Sequence, residues 1–323
     1  MEYRQLGHTG LQLSVLGYGS WITFKGQVDD KAAGDMMQIA YDNGVNFFDN
    51  AEVYARGESE RIMGRVLRLK GWERSSYVLT SKAYFGWHHP NLPTQHGLAR
   101  KHLREACDEA LERLQTSYLD IFYCHRPDPT VPVEEIVWTM HQLFLAGKIL
   151  YWGTSEWTAS GIQAAITAAE RYHLLRPVVE QPEYNLFRRF KVEEDYALLY
   201  DTYGLGLTTW SPLHSGMLTG KYNDGIPKGS RLDLPEFKGM MGMAYSEEKV
   251  GKARAFKAIA DQAGYSMTDL ALAWVIHNPH VTCAILGASK PEQLEQNLRA
   301  LTIDLSPDLV EQIEKATRIS DDK

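Results

Sequence analysis

The chain alternates short apolar runs with amphipathic helical stretches, and this alternation occurs eight times. The apolar runs predict buried strands at residues 15–19, 46–48, 77–80, 119–123, 149–154, 178–180, 205–210 and 283–286. Consecutive parallel strands need helical crossovers, so eight strand–helix units in 323 residues predict an α/β fold, a closed (β/α)8 TIM barrel. A doubly wound open sheet is the alternative.

The boundaries of other elements carry recognisable signals. Pro132 opens the fourth predicted helix and Gly147 closes it, which is the usual asymmetry of these two residues. The sequence His8-Thr9-Gly10 between two short alternating runs predicts an N-terminal β-hairpin. Ser306-Pro307-Asp308 opens an additional C-terminal helix. Because no Pro/Gly/Ser-rich linker interrupts the pattern, we expect residues 1–323 to form a single barrel domain.

Composition narrows the classes of function. The formal net charge is -7, so we expect no nucleic-acid partner and no attraction to anionic membranes, because both require a basic surface. No apolar run approaches a membrane span and no secretory signal is evident, so we expect no membrane insertion. Cys107, Cys124 and Cys283 lie in apolar patterns without metal-ligand spacing, as in a reduced, cytoplasmic protein.

Three ionisable residues follow three consecutive predicted strands. Asp49, Lys82 and His125 come after the second, third and fourth strands, and barrel enzymes carry their chemistry at these C-terminal strand ends. Loops are polar in any protein, so one such position alone indicates little. The adjacent pair His88-His89 does not suit one ion and no HExxH motif is present, so no metal site is expected.

The chemistry of these residues predicts a general acid. Lys82 lies in an apolar stretch, where an ammonium needs a counter-ion such as Asp49. Tyr54 follows Asp49 by five residues and can turn back over the same mouth. A neighbouring ammonium lowers the pKa of a phenol, so the three groups together predict a tuned proton donor, although Tyr54 alone would be an ordinary loop tyrosine. A neutral His125 can donate a hydrogen bond to a substrate carbonyl.

These motifs resemble the signatures of the aldo-keto reductases. The likeness is carried by residues 49–55 (DNAEVYA), 80–82 (TSK) and 124–128 (CHRPD). Residues 153–157, 180–185, 210–213, 220–222 and 287–289 resemble the branch that contains the β-subunits of voltage-gated potassium channels and their plant and microbial relatives. The motifs occur in order between residues 3 and 297.

The resemblance implies an NADPH-dependent oxidoreductase that reduces aldehydes or activated ketones. It implies a catalytic tetrad of Asp49, Tyr54, Lys82 and His125, with Tyr54 as the proton donor. It also implies NADPH bound across the barrel mouth. The positions that match cofactor contacts are Gly19, Ser20, Trp21, Gln27, Asp49, Ser155, Gln181, Trp210, Ser211, Pro212, Leu213, Ser215, Gly216, Lys221, Arg231, Gly287, Ser289, Gln293, Gln296 and Asn297.

The same resemblance leaves a second function open. The alternative is an NADPH-binding regulatory β-subunit of a potassium channel with slow residual reductase activity, and either function predicts a homotetramer. His125 stands where mammalian channel subunits tend to have Asn, which favours catalysis. Candidates for an apolar substrate pocket are Trp21, Tyr84, Phe85 and Trp87.

Overall fold

Eight parallel strands form a closed barrel. The computed structural model describes residues 1–21, 30–234 and 244–319. An N-terminal hairpin of β1 (Tyr3–Gln5) and β2 (Gln12–Ser14) precedes the barrel strands β3 (Leu16–Gly19), β4 (Phe47–Asp49), β5 (Val78–Ala83), β6 (Leu119–Cys124), β7 (Ile149–Ser155), β8 (Val179–Gln181), β9 (Gly206–Thr209) and β10 (Val281–Leu286). The barrel prediction is confirmed, and the open sheet is wrong because β10 pairs with both β3 and β9.

Helices connect the strands around the outside of the barrel. The connections after β3 to β8 contain α1 (Asp30–Asp42), α2 (Glu58–Lys70), α3 (Arg100–Leu114), α4 (Val133–Leu145), α5 (Ala159–Arg171) and α6 (Ala197–Tyr203). The connection from β9 to β10 contains α7 (Glu247–Ala263) and α8 (Met267–His277), and α9 (Pro291–Leu298) and α10 (Pro307–Thr317) follow β10. None of the helices in the described ranges is long and apolar enough to cross a bilayer.

The predicted helix boundaries are confirmed for α4 and α10. Pro132 is the N-cap residue of α4, and Gly147 follows this helix with a φ of 71°. The Ser306 hydroxyl accepts a hydrogen bond from the Leu309 backbone nitrogen at 3.3 Å and so caps α10.

The hairpin closes one end of the barrel. Leu6 and Leu13 join the cluster inside the barrel, together with Phe47, Ile121 and other inward-facing strand residues. The His8 backbone nitrogen donates a hydrogen bond of 3.0 Å to the carbonyl oxygen of Gly204, which lies just before β9. These contacts lie at the N-terminal ends of the strands, so only the C-terminal ends remain for a site. A larger apolar layer fills the space between strands and helices.

Helices α2 and α3 approach each other closely at Gly64. A Cβ atom at this position would lie 2.5 Å from the Arg113 carbonyl oxygen and 2.7 Å from the Leu114 carbonyl carbon. These are backbone atoms of the last turn of α3, which cannot move aside as a flexible side chain can. The contact between the two helices therefore requires glycine here.

The Gly64→Ala substitution should lower the free energy of unfolding by about 1–3 kcal/mol, because the added methyl group forces the helices apart. The matched control is Gly251→Ala in α7, where a Cβ meets no atom within 4 Å; it should raise the free energy of unfolding by about 0.5–1 kcal/mol through helix propensity. Urea denaturation followed by circular dichroism measures both. Similar stabilisation by both substitutions would contradict the close contact of α2 and α3.

Candidate active site

A cavity of about 1150 Å³ opens at the C-terminal ends of the strands. The sequence-predicted site residues that line it are Gly19, Trp21, Asp49, Tyr54, His125, Ser155, Gln181, Trp210, Ser211, Pro212, Leu213, Ser215, Gly216, Lys221, Arg231, Gly287, Ser289, Gln293, Gln296 and Asn297. Ser20 and Lys82 are fully buried behind this wall. Gln27 lies outside the described residues.

A buried ion pair lies at the bottom of the cavity. The Lys82 ammonium donates to Asp49 Oδ2 at 2.5 Å and to the Asn50 carbonyl oxygen at 2.8 Å. Its third hydrogen bond goes to the Tyr54 phenol oxygen at 3.3 Å. Because the lysine donates to that oxygen, the phenol hydrogen stays free to be donated elsewhere.

Asp49, at the end of β4, is held by side chains from two other strands. Its Oδ1 accepts hydrogen bonds from the Thr80 hydroxyl at 2.8 Å and the Gln181 amide nitrogen at 3.1 Å. Thr80 belongs to β5 and Gln181 to β8, so the carboxylate ties opposite sides of the barrel together. The fixed orientation of Asp49 in turn fixes the ammonium of Lys82.

A tight turn directs Tyr54 back over the mouth. The 3-10 turn Tyr54–Gly57 contains Ala55 and Arg56 in the left-handed region, with φ of 48° and 56°. The buried carboxylate of Glu52 holds the loop before this turn, because it accepts hydrogen bonds from the Tyr84 and Gly86 backbone nitrogens, each at 2.8 Å. We did not predict this role of Glu52. Its signal was a carboxylate between two apolar residues, Ala51 and Val53.

Burial controls the ionisation of Tyr54 and Lys82. It raises the pKa of Tyr54 well above the ordinary value, with a further increase from Asp49, while Arg126 opposes the shift. Burial also lowers the pKa of Lys82, and Asp49 opposes that shift. The structure thus differs from our expectation that Lys82 would lower the pKa of the phenol. The ammonium is already balanced by Asp49, so Tyr54 remains a protonated phenol at neutral pH.

His125 is a neutral imidazole facing the same groups. Burial, with Lys82 and Arg126 nearby, lowers its pKa well below the usual value. Its ring centroid lies 5.8 Å from that of Tyr54, and its buried Nδ1 atom has no hydrogen-bond partner among the described residues. The neutral imidazole and the protonated phenol can each donate one hydrogen bond to the same oxygen atom of a molecule in the cavity.

Only part of the predicted apolar pocket lines the cavity. Trp21 and Phe85 do so, and the Trp21 ring centroid lies 6.4 Å from that of Tyr54. Tyr84 packs behind Phe85, with ring centroids 5.0 Å apart. Trp87 packs elsewhere, 5.1 Å from the Arg113 guanidinium. Tyr84 and Trp87 are therefore structural neighbours of the site, because the loop after β5 turns them away from the cavity.

The connection after β9 begins with a compact turn rich in left-handed residues, which we call the clasp (residues 211–216). Ser211, His214 and Ser215 have φ of 55°, 44° and 54°, and Gly216 has a φ of 95°. A Cβ on Gly216 would lie 2.7 Å from the Lys221 ammonium, so glycine admits that cation to the wall. The turn is held from within, because the His214 and Gly216 backbone nitrogens donate to the Ser211 and Leu213 carbonyl oxygens, each at 2.9 Å, and the Ser215 nitrogen donates to the Ser211 hydroxyl at 3.1 Å.

Two cations stand together beside this clasp. Burial in the cavity wall, together with the charge of Arg231, lowers the pKa of Lys221 to about 8. Burial likewise lowers the pKa of Arg231. Neither forms an ion pair with a carboxylate of the described residues, so their mutual repulsion is relieved only by an added anion. The residues therefore fit a phosphate group.

The remaining wall combines predicted and unpredicted residues. Ser155 donates to the Gln181 carbonyl oxygen at 2.9 Å, and the Ser289 backbone nitrogen donates to Gln293 at 2.9 Å. Trp210 donates to Glu156 at 2.9 Å, which fixes its indole in the wall. Several further residues that line the cavity were not predicted from the sequence. They are Val53, Arg126, Thr219, Ser230, Lys257, Asp261, Ser266, Met267 and Thr268. Most of these lie on α7 and α8 or in their connections, without any motif that marks them.

Comparison with known proteins agrees with this geometry. Residues 15–318 match the model of the aldo/keto reductase family. The chain belongs to the aldo/keto reductase family. It is 48% identical over 317 residues to a probable voltage-gated potassium channel subunit beta of Oryza sativa subsp. japonica, covering 97% of this chain and 96% of that protein.

Two other relatives carry similar names. A probable voltage-gated potassium channel subunit beta of Arabidopsis thaliana is 45% identical, covering 98% of this chain and 96% of the relative. A putative voltage-gated potassium channel subunit beta of Schizosaccharomyces pombe is 44% identical, covering 98% of this chain and 93% of the relative. The predicted resemblance to this branch is therefore confirmed, and the family is one of oxidoreductases.

In this aldo/keto reductase, removing one member of the Asp49–Lys82 pair should cost about 3–5 kcal/mol of unfolding free energy, because the other charge stays buried without its partner. Asp49→Asn and Lys82→Met test the two halves. The double variant Asp49→Asn/Lys82→Met should lose less than the sum of the two, since it buries no unbalanced charge. Guanidinium denaturation measures the three values. Strictly additive losses would show that the two side chains do not interact.

Proposed function

We propose that this protein is an NADPH-dependent reductase of aldehydes or activated ketones, with Asp49, Tyr54, Lys82 and His125 as its catalytic tetrad. One observation carries the proposal. Lys82 donates to the Tyr54 phenol oxygen at 3.3 Å, which leaves the phenol hydrogen available at the bottom of the cavity. A protonated phenol beside a neutral imidazole suits proton donation to a carbonyl oxygen.

NADPH fits the charge distribution of the cavity. When bound, it supplies the hydride. Gly216, Lys221 and Arg231 would hold its phosphates, because glycine at 216 admits the Lys221 ammonium to the cavity wall and neither cation forms an ion pair with a carboxylate of the described residues. Ser155 and Gln181 would bind the nicotinamide carboxamide near Asp49. Ser289, Gln293, Gln296 and Asn297 would bind the adenosine end.

The tetrad residues divide the proton chemistry among them. His125 donates a hydrogen bond to the substrate carbonyl oxygen and orients it. Tyr54 transfers its phenol proton to the same oxygen as negative charge develops there. Lys82 donates to the Tyr54 oxygen throughout and stabilises the phenolate that remains, while Asp49 keeps the ammonium in position. The rings of Trp21 and Phe85 line this end of the cavity and would contact the apolar part of a substrate.

A regulatory subunit is the second candidate function. The names of the relatives favour it, since three of them are described as potassium channel beta subunits. We propose a homotetramer in the cytoplasm for either function. A panel of aldehydes assayed with NADPH and with NADH distinguishes them: an enzyme gives sustained turnover, whereas a pure sensor gives one stoichiometric oxidation of its bound cofactor.

The Tyr54→Phe variant should lose about two to four orders of magnitude in turnover, because Tyr54 is the only tyrosine among the described residues that line the cavity. NADPH affinity should change little, since the hydroxyl is not a cofactor anchor. Steady-state reduction of an aldehyde and fluorescence titration with NADPH measure the two effects. The control is Tyr203→Phe at the end of α6, which should keep wild-type turnover.

The pH profile tests the same assignment. A phenol with a raised pKa is protonated below that pKa, so wild-type reduction should not decline because of Tyr54 between pH 6 and pH 9. Oxidation of the alcohol needs the phenolate and should rise with pH over this range. A reductive rate in Tyr54→Phe close to that of the wild type would reject Tyr54 as the donor.

The Arg231→Gln variant should weaken NADPH binding more than NADH binding, because the guanidinium is proposed to contact the 2′-phosphate. One charge-assisted contact is worth about 1.5–3 kcal/mol. Isothermal calorimetry with both dinucleotides gives the difference, and Arg104→Gln on the exposed face of α3 is the control. Equal losses for NADPH and NADH would show that Arg231 does not contact that phosphate.

A further inference from the structure

Arg126 is a cation at the end of the cavity that contains Tyr54 and His125, which we call the reacting end. It follows His125 directly after β6 and lines the cavity together with Tyr54, Phe85 and Ser155. None of the roles assigned above uses its charge. A guanidinium that faces a ligand cavity beside the proton donor requires an explanation, because it is costly to place there without a counter-ion.

Specific contacts hold the Arg126 side chain in place. Its Nη1 atom donates to the His125 carbonyl oxygen at 2.5 Å and to the Ser155 hydroxyl at 3.3 Å. The guanidinium carbon lies 5.6 Å from the centroid of the Phe85 ring. A backbone oxygen, a hydroxyl and an aromatic face orient the group but leave its charge unbalanced.

The remaining donors of Arg126 have no acceptor among the described residues. No carboxylate of the described ranges forms an ion pair with it, and no hydrogen bond within them uses its Nε or Nη2 atom. The two acids in the cavity wall are engaged elsewhere. Asp49 binds Lys82 at 2.5 Å, and Asp261 binds Lys257 at 2.6 Å. The reacting end of the cavity therefore carries one excess positive charge.

The charge of Arg126 reaches the catalytic groups. Burial is the main cause of the low pKa of His125, and the charges of Lys82 and Arg126 add to it. Burial also dominates the raised pKa of Tyr54, which the charge of Arg126 partly offsets. These couplings agree with a guanidinium close to the position where a carbonyl is reduced.

Arg126 is separate from the cations assigned to the phosphates. Lys221 and Arg231 lie on the connection after β9. Arg126 follows β6, and two further strands, β7 and β8, lie between β6 and β9 in the barrel. The charge of Arg231 is felt by Lys221, whereas that of Arg126 is felt by Tyr54, Lys82 and His125.

We propose that Arg126 determines substrate specificity by binding a carboxylate on the carbonyl substrate. This inference rests on the proposed reductase function and names its substrate class: aldehydes or ketones that carry a carboxylate within reach of the reacting carbon. The planar guanidinium presents two N–H groups in the arrangement that a carboxylate accepts. The aromatic wall formed by Trp21 and Phe85 contacts the apolar part of such a molecule.

The experiment compares matched acid and ester aldehydes. The substrates are 3- and 4-formylbenzoate and their methyl esters, reduced with saturating NADPH by the wild type, Arg126→Gln, Arg126→Lys and the exposed control Arg104→Gln. The measured quantity is the ratio of kcat/KM for the acid to that for the ester. Any effect of Arg126 on His125 or Tyr54 changes kcat/KM for the acid and the ester alike, so it cancels within the ratio. The difference in intrinsic reactivity between acid and ester is the same for every variant, so it cancels when the ratios are compared.

We expect the acid-to-ester ratio to fall roughly ten- to hundredfold in Arg126→Gln, the scale of one charge-assisted contact. It should fall less in Arg126→Lys, which keeps the charge without the planar fork, and stay unchanged in Arg104→Gln. A ratio in Arg126→Gln within about twofold of the wild type would overturn the proposal. If NADPH affinity fell at the same time, Arg126 would be a cofactor contact instead.

A binding measurement separates this inference from the reductase proposal. Calorimetric titration of the protein with benzoate and with benzamide, in the presence of NADP+, needs no turnover. Benzoate should bind to the wild type at least about tenfold more tightly than to Arg126→Gln, relative to benzamide. If no aldehyde is reduced, the proposed function fails, while the benzoate titration still decides whether Arg126 binds a carboxylate.

Discussion

The ammonium of Lys82 is fully buried near the C-terminal end of β5. An unbalanced charge in such a place lowers the free energy of unfolding by several kcal/mol. Asp49 compensates it, and Asp49 in turn accepts hydrogen bonds from Thr80 and Gln181. These contacts join the ends of β4, β5 and β8. The requirement to balance one buried charge therefore fixes the relative positions of three strand ends, and the phenol of Tyr54 is held against the same ammonium.

Burial also determines which groups carry protons in the site. The phenol is kept protonated and the imidazole of His125 neutral, because the apolar surroundings disfavour both phenolate and imidazolium. Lys82 does not act as a free cation that would lower the pKa of Tyr54, since Asp49 balances it. Lys82 donates a hydrogen bond to the phenol oxygen, where negative charge would develop in the proposed reduction.

The cavity has two ends with different electrostatic character, although the whole chain has a net charge of -7. At one end, Lys221 and Arg231 stand beside a clasp of left-handed residues and fit phosphate groups. At the other end, Arg126 places one positive charge beside Tyr54 and His125. Local cations in an acidic protein attract specific anions without making the surface generally basic.

The sequence by itself determined the eight strand–helix units, the N-terminal hairpin and the strand ends that carry Asp49, Lys82 and His125. These depend on local periodicity and on the rule that parallel strands end at the same face. Tertiary structure alone decided that β3 closes onto β10, that Glu52 holds the loop before Tyr54, that Tyr84 turns away from the cavity, and that α7 and α8 contribute to its wall. It also decided the direction of the pKa shift of Tyr54. Burial and charge balance are sums over neighbours from distant parts of the chain, and no local pattern contains those sums.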